Sequence, residues 1–313
     1  MSNKNNYNFT IIIPHKNIPN LLQRCLDSIP ISNEIQIIIV DDNSDPQKVN
    51  FDNFPGLNRE HTEIYLTKEG KGAGYARNVG ITHAKGKWLL FADADDFFTP
   101  QLADILKSHV DSEYDLIVFD SYSVLSETLQ KTEKREEVID LYLKTLDENI
   151  LRYVSHCVWG KMFKRQIIIN KNIRCDEVPA SNDVLFAGLM GIYASKIFFD
   201  RRVGYCCTIR TGSICTKLSS QNIHARIYVA KKFNSILKQH LIPTKYWMNL
   251  LGPIISLHKI NKQSFLSNLI QYFVITPLPR LKQDISQSGN RFILRLLKKN
   301  KDKTMRNIQK NYK

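Results

Sequence analysis

Residues 91–96 read Phe-Ala-Asp-Ala-Asp-Asp, which places Asp93, Asp95 and Asp96 directly after the apolar run Trp88-Leu89-Leu90-Phe91. Crowded carboxylates are costly unless cations or hydrogen bonds compensate them. A second acidic pair, Asp41-Asp42, follows another apolar run, Ile37-Ile38-Ile39-Val40. Oxygen-rich sites of this kind suit a hard divalent cation, and Mg²⁺ takes one or two carboxylates plus substrate phosphates. The competing reading of an isolated Asp-x-Asp is a cap for a helix starting near Thr99, or a solvated loop.

The elements that must position these acids follow from periodicity. Phe9-Thr10-Ile11-Ile12-Ile13 and Glu34 to Val40 are short, β-branched and nearly continuous in apolar character, as strands buried on both faces are. Leu21, Leu22, Cys25, Leu26 and Ile29 recur between them at helical spacing, so the segment reads as strand, helix, parallel strand. A weaker strand over Glu63 to Leu66 follows, then a helix over Ala73 to Ala84 and a strand over Lys87 to Ala92. A helix after Thr99-Pro100 and a strand over Leu116 to Tyr122 continue the alternation of an open, mostly parallel α/β sheet. Ligands of such sheets bind beyond the carboxyl ends of the strands, which puts Asp41-Asp42 and Asp93 to Asp96 on one rim.

Bulk properties set the limits. The 313 residues suffice for one large domain or a domain with an appendage. No apolar stretch approaches the roughly 20 residues of a spanning helix, and the polar start MSNKNNYN lacks signal-peptide shape. These features lead to the expectation of a soluble, cytoplasmic protein. The six cysteines, Cys25, Cys157, Cys175, Cys206, Cys207 and Cys215, show no C-x-x-C spacing and read as reduced packing residues. The run Gly70-Lys71-Gly72-Ala73-Gly74 lacks P-loop and dinucleotide-binding arrangements, and is either an ordinary turn or a set of N–H groups offered to a diphosphate. His156 and Cys157 read as core rather than metal ligands, and no Gly-x-Ser-x-Gly elbow supports acyl transfer.

Four motifs in order, Ile11-Ile12-Ile13-Pro14-His15-Lys16-Asn17, Val40-Asp41-Asp42-Asn43-Ser44, Gly74-Tyr75-Ala76-Arg77-Asn78-Val79-Gly80 and Phe91 to Asp96, resemble those of the family 2 glycosyltransferases. The likeness extends over residues 8–125 and resumes at Trp159-Gly160-Lys161-Met162-Phe163, Ser181-Asn182-Asp183-Val184-Leu185-Phe186 and Arg210-Thr211-Gly212-Ser213. It implies a GT-A fold, a nucleotide-sugar donor of the UDP-sugar kind, and inversion at the anomeric carbon. It also implies that Pro14, His15 and Asp42 line the nucleoside pocket, with Asp42 accepting from the base. Asp93 would lie against the ribose, and Asp95, with Asp93, would hold Mg²⁺ or Mn²⁺. Arg77 would order these acids from its helix, Arg210 would contact the diphosphate from a loop, and Asp183 would be the general base. Asn182 departs from the Glu that usually precedes that Asp. For Asp183, a charge favourable at a helix start is the plainer alternative, and for Arg210 a solvated turn residue.

The net charge of +14 is unevenly placed. Residues 1–221 carry 26 Lys and Arg against 28 Asp and Glu, whereas residues 222–313 carry 18 against 2. This divides the chain into a catalytic domain over 1–221, with a nucleotide-sugar half at 8–125 and an acceptor half at 126–221, and a basic helical extension over 222–313. Apolar residues recur at helical spacing in the extension: Trp247, Leu250, Leu251, Ile254 and Ile255, then Phe265, Leu269 and Phe273, then Phe292, Ile293, Leu296 and Leu297. Cations beside an apolar face suit an anionic inner leaflet. A helical packing domain is the alternative, and nucleic acid is not expected because no binding module is recognisable. Together these features point to an enzyme that extends a glycan or lipid-linked acceptor at the inner face of the cytoplasmic membrane, in bacterial surface-polysaccharide synthesis. A noncatalytic protein of the same fold, binding nucleotide sugar, glycan or a partner, is the other class.

Overall fold

The run Phe9–His15 forms β1, and every residue in it except Pro14 is buried. The structure is a computed structural model that describes residues 7–132, 137–210, 219–258, 260 and 262–288. After β1 come α1 (Pro19–Asp27), β2 (Ile35–Asp42), β3 (Thr62–Thr67), α2 (Ala73–His83), β4 (Trp88–Phe91), β5 (Phe97–Phe98) and α3 (Leu102–His109). They are followed by β6 (Leu116–Leu125), β7 (Lys131–Thr132), α4 (Glu137–Thr145), α5 (Glu148–Tyr153), β8 (Lys161–Lys164), α6 (Arg165–Asn170), α7 (Val184–Tyr193) and β9 (Ile197–Ile209). The strand order is β3-β2-β1-β4-β8-β6-β9-β5, with β7 paired to β6.

Alternation along the continuous apolar strands feeds two cores at once. Ile11, Ile13, Ile37, Ile39 and Leu90 enter one with α1 and α3. Ile12, Ile38, Leu89 and Phe91 enter the other with α2 and α7. Strands β3, β2, β1 and β4 are parallel. Two buried polar residues cross them near their amino-terminal ends: Thr10 Oγ1 donates to Gln36 Oε1 at 2.7 Å, and Gln36 Nε2 donates to Glu63 Oε1 at 2.8 Å.

The second half departs from simple alternation. Strand β8 is inserted antiparallel between β4 and β6. Strand β9 spans 13 residues, and Asp200-Arg201-Arg202 interrupts its apolar pattern at a shift in register with β6. No disulfide joins the described cysteines Cys25, Cys157, Cys175, Cys206 and Cys207; Cys215 lies outside the described residues.

The chain divides into two compact units, Met1–Leu218 and Ser219–Lys313. The second contains α8 (Ser220–Gln239), α9 (Leu251–His258), α10 (Lys262–Ile275) and α11 (Leu278–Ser288). Ser219 caps α8, its hydroxyl accepting from Asn222 N at 3.1 Å. Leu250, Leu251, Ile254 and Phe265 form the core of this unit with Ile223 and Ile227, and Leu269, Ile255 and Phe273 pack against it. Trp247 is also buried. These side chains therefore face inward, which corrects their reading as a membrane-facing surface; Phe292, Ile293, Leu296 and Leu297 lie outside the described residues. Helix α10 carries a second apolar stripe one position on: Leu266, Ile270 and Val274 are 56%, 66% and 80% exposed. Among the described residues, no helix is long and apolar enough to cross a membrane.

Gly86, in the turn from α2 to β4, tests the closeness of this packing. A Cβ there would meet Phe9 C at 2.4 Å and Thr10 N at 2.6 Å, backbone atoms that cannot swing away. Gly86→Ala is expected to destabilise the first unit by about 1–3 kcal/mol, read as a lower urea midpoint.

Candidate functional site

Parallel pairing places the ends of β1, β2 and β4 together. His15 pairs with Asp41 across β1 and β2, and the acidic run leaves β4 on the same side. Beyond these ends is a cleft of about 330 Å³. Pro14, His15, Asp42, Arg77, Asp93, Asp95, Asp183 and Arg210 all line it, so these eight residues meet in one place, while Asp41 does not line it.

The first wall is held internally. Ile18 N donates to His15 Nε2 at 3.1 Å, which leaves the ring proton on Nδ1 to be donated to Asp41 Oδ2 at 2.7 Å. Both ring nitrogens are thus used within the protein, and His15 offers the cleft a surface rather than a polar contact. Burial alone would raise the pKa of Asp41, but bonds from His15 and Ser44 outweigh it and hold the carboxyl below its ordinary value. Asp42 accepts from Gly72 N at 3.0 Å on each oxygen and from Lys16 Nζ at 3.2 Å. The glycine run therefore directs its central N–H at Asp42, and φ of +92° at Gly72 explains why glycine stands there.

The acidic run does not cap the following helix. Asp96 is turned inward, its two oxygens accepting from Tyr205 Oη at 2.9 Å and Thr208 N at 2.6 Å. Burial first, then the charges of Asp93 and Asp95, push its carboxyl well above the usual range. Asp93 Oδ1 accepts from Arg77 Nη2 at 2.6 Å, and Asp95 Oδ2 from Arg210 Nε at 2.8 Å. The carboxylate atoms of Asp93, Asp95 and Asp96 all lie within 4.8 Å of one another. With both oxygens of Asp96 bonded within the protein, Asp93 and Asp95 are the acids of this cluster that could hold a cation. This hard-oxygen pair fits Mg²⁺ or Mn²⁺. Thr211, Gly212 and Ser213 lie outside the described residues.

The opposite wall is the segment 175–183, clamped to α2 by three adjacent contacts. Arg77 Nη1 donates to Asn182 Oδ1 at 2.6 Å. Asn78 accepts from Cys175 N at 2.8 Å and donates to Cys175 O at 3.0 Å. A Cβ on Gly74 would lie 2.0 Å from Asp176 O, so only glycine permits this approach. Ser181 takes φ of +58°, a strained turn that leads into Asp183. Asp183 stands at the N-cap of α7 and makes no side-chain capping bond. Burial raises its pKa, with Arg77 opposing and Asp93 reinforcing the rise. A half-buried carboxyl of raised basicity is suited to take a proton.

Sequence reasoning missed Tyr205, Asn78 and Arg24. Tyr205 Oη also accepts from Asp93 N at 3.0 Å, and Arg24 Nη2 donates to Asp95 O at 2.6 Å. Asn78 stood inside a quoted motif, but nothing in its spacing indicates a partner almost a hundred residues away.

The glycosyl transferase family 2 model matches residues 10–170. The glycosyltransferase GlyA of Streptococcus pneumoniae is 23% identical over 295 residues, covering 89% of this chain and 42% of that protein. The succinoglycan biosynthesis protein ExoO of Rhizobium meliloti is 24% identical over 241 residues, 72% of this chain and 67% of its own. The chain spans about half the length of the first curated relatives that it matches. In structure, S. aureus TarS 1–349 in complex with UDP-GlcNAc aligns with a TM-score of 0.57 at 17% identity, over 89% of this chain and 78% of that one. This likeness shows the fold, that of the GT-A transferases.

The Arg77 joint yields a direct expectation. Arg77→Met leaves Asp93 and Asn182 without their shared donor and should destabilise the first unit by about 1–3 kcal/mol. Arg77→Lys should recover little, because an ammonium cannot replace a fork spanning two partners. Urea unfolding of both variants checks this.

Proposed function

Because this chain belongs to glycosyl transferase family 2, we propose that it is an inverting transferase. In this reading it moves a sugar from a nucleoside diphosphate sugar, of the UDP-sugar kind, to a hydroxyl of a glycan or lipid-linked acceptor. The observation that carries the reading is the convergence of Asp183, Asp93 and Asp95 on one cleft. The complex of TarS with UDP-GlcNAc supports the donor class. ExoO, in succinoglycan biosynthesis, and the minor teichoic acid biosynthesis protein GgaB of Bacillus subtilis support a role in surface-polysaccharide synthesis.

Asp183 accepts the proton of the acceptor hydroxyl as its oxygen attacks the anomeric carbon from the face opposite the diphosphate. The bond from that carbon to the diphosphate oxygen breaks, and its electron pair leaves with the nucleoside diphosphate. Asp95 and Asp93 would hold Mg²⁺ or Mn²⁺, which when bound offsets the charge that grows on the leaving diphosphate. Arg210 and Lys16 add positive charge at the cleft edge, Pro14 and His15 shape the nucleoside wall, and Arg77 holds Asp93 and the Asp183 segment at fixed spacing. Asp42 is the acceptor offered to the base of the donor. Asp183→Asn should keep Mn²⁺-dependent nucleotide affinity while lowering turnover by roughly 10²–10⁴. Its removal should also abolish the acid limb of the rate profile, which lies above the ordinary aspartate value of 3.8. Asp95→Ala should lose the Mn²⁺-dependent binding itself. Turnover near normal in Asp183→Asn, or chelator-insensitive binding, sinks the respective role.

The second unit completes the reading as a membrane-docking element on the cytoplasmic face. The exposed stripe Leu266, Ile270 and Val274 belongs to a region with 18 basic residues against 2 acidic ones, a combination that complements an anionic bilayer. Each cation held near such a surface contributes about 1 kcal/mol, screened by salt. The full chain should co-sediment with phosphatidylglycerol vesicles at low salt, less at high salt, and Ile270→Glu with Val274→Glu should weaken this without unfolding the unit. No binding at low salt removes the docking role.

A further inference from the structure

A second cavity, of about 310 Å³, is lined by Val118, Ser121, His156, Trp159, Lys161 and, from α4, the exposed Glu137, among others. Its volume is at the lower end of small-molecule sites, enough for one sugar-sized unit. Its position follows from the inserted strand. Strand β8 runs against both β4 and β6, so its first residue, Lys161, opposite Val118, lies at the same end of the sheet as the acidic run. One contact ties the cavity to the chemistry: Trp159 stacks on Tyr205 at 5.4 Å and 8°, and the hydroxyl of Tyr205 holds Asp96 and the Asp93 amide.

Lys161 is the anomaly. It is 2% exposed, and its ammonium makes one hydrogen bond, to Ser155 O at 2.5 Å, without an ion pair to any described carboxylate. An ammonium has three donors, and a buried charge without a partner is costly. Burial accordingly holds its pKa below the ordinary lysine value. The lining offers apolar surface from Val118 and Trp159 and a carboxylate at Glu137, but no anion paired with Lys161.

We infer that this cavity is an acceptor subsite for a glycosyl or polyol unit bearing an oxyanion, a carboxylate or a phosphate, that seats on Lys161. The inference rests on the reading of Asp183 as the base in the first cleft. A ligand oxyanion would take the two remaining donors of Lys161, while its hydroxyls meet Ser121. Lys161 is thus a specificity-determining residue for an anionic acceptor.

The test uses three probes on the full chain, measured by calorimetry or saturation-transfer NMR: methyl β-glucuronide, sn-glycerol 3-phosphate and the neutral methyl β-glucoside. At least one charged probe should bind about tenfold or more tighter than the neutral one, and the better of the two identifies the carboxylate or the phosphate source. Lys161→Met should abolish the difference. Should that variant not fold, Glu137→Gln on the exposed helix serves instead: it should strengthen the charged probes about twofold by removing a like charge and leave the glucoside unchanged. Equal binding of charged and neutral probes, no binding of either, or an unaltered preference in the variants overturns the proposal. Nucleotide binding with Mn²⁺, measured on the same samples, reports separately on the transferase reading.

Discussion

Arg77 carries one guanidinium between partners that belong to distant stretches of chain, Asp93 after β4 and Asn182 before α7, and it is almost wholly buried while doing so. Its charge opposes the desolvation of Asp183 and answers the carboxylate of Asp93. Its planar fork sets the distance between the acidic rim and the segment that ends in Asp183. Gly74 and Asn78, on the same helix, close the clamp by contact with Asp176 and Cys175. The acid crowding that would otherwise be unfavourable is therefore held by a cation that also organises the opposite wall. Arg210, Tyr205 and Thr208 complete the compensation around Asp95 and Asp96.

Two ion pairs show different uses of the same chemistry. In the second unit Arg280 and Asp284 are 2.7 Å apart and both nearly inaccessible, with Tyr272 donating to Asp284 at 2.8 Å. That pair is held within the unit, and its worth is specificity of packing more than net stability. Asp93, by contrast, keeps a third of its side chain exposed beside an equally buried Arg77. One end of the pair is anchored and the other remains open to a ligand, as a site needs when it must be rigid before anything binds.

Much of the first unit was legible because its signals are local. The apolar runs Phe9 to Ile13 and Ile37 to Val40 can only be doubly buried strands, and strands of that kind deliver their following residues to a common rim. The acids could be placed there for the same reason, whereas Arg77 and Asp183 were placed by the resemblance to the family 2 glycosyltransferases. Strand β8 was not legible as an antiparallel insertion, since four residues bounded by a glycine specify no pairing partner. Strand β9 was hidden where Asp200 and Arg202 bond to each other within the strand. The partners of Asn78 and Tyr205 are long-range and leave no periodic trace. In α10 the difficulty is of another kind: Phe265 and Leu269 make one apolar stripe, Leu266, Ile270 and Val274 another. Helical spacing fits both, and only packing against α8 and α9 decides which turns inward.

The polar crossing of Thr10, Gln36 and Glu63 has a consequence for how the sheet avoids assembling wrongly. A strand that is apolar on both faces can slide by one position and still bury oily side chains, so greasiness by itself cannot oppose such a slip. Thr10 and Gln36 are both wholly inaccessible, and Gly86 N and Lys85 N also donate to them. A displaced β1 or β2 would strand these groups without partners, at about 1–3 kcal/mol for each. They work as an indexing pin set at the foot of the sheet, and the spacing of His15 against Asp41 at the far end is inherited from it. The alignment of the cleft is thus protected by two side chains that never come near it.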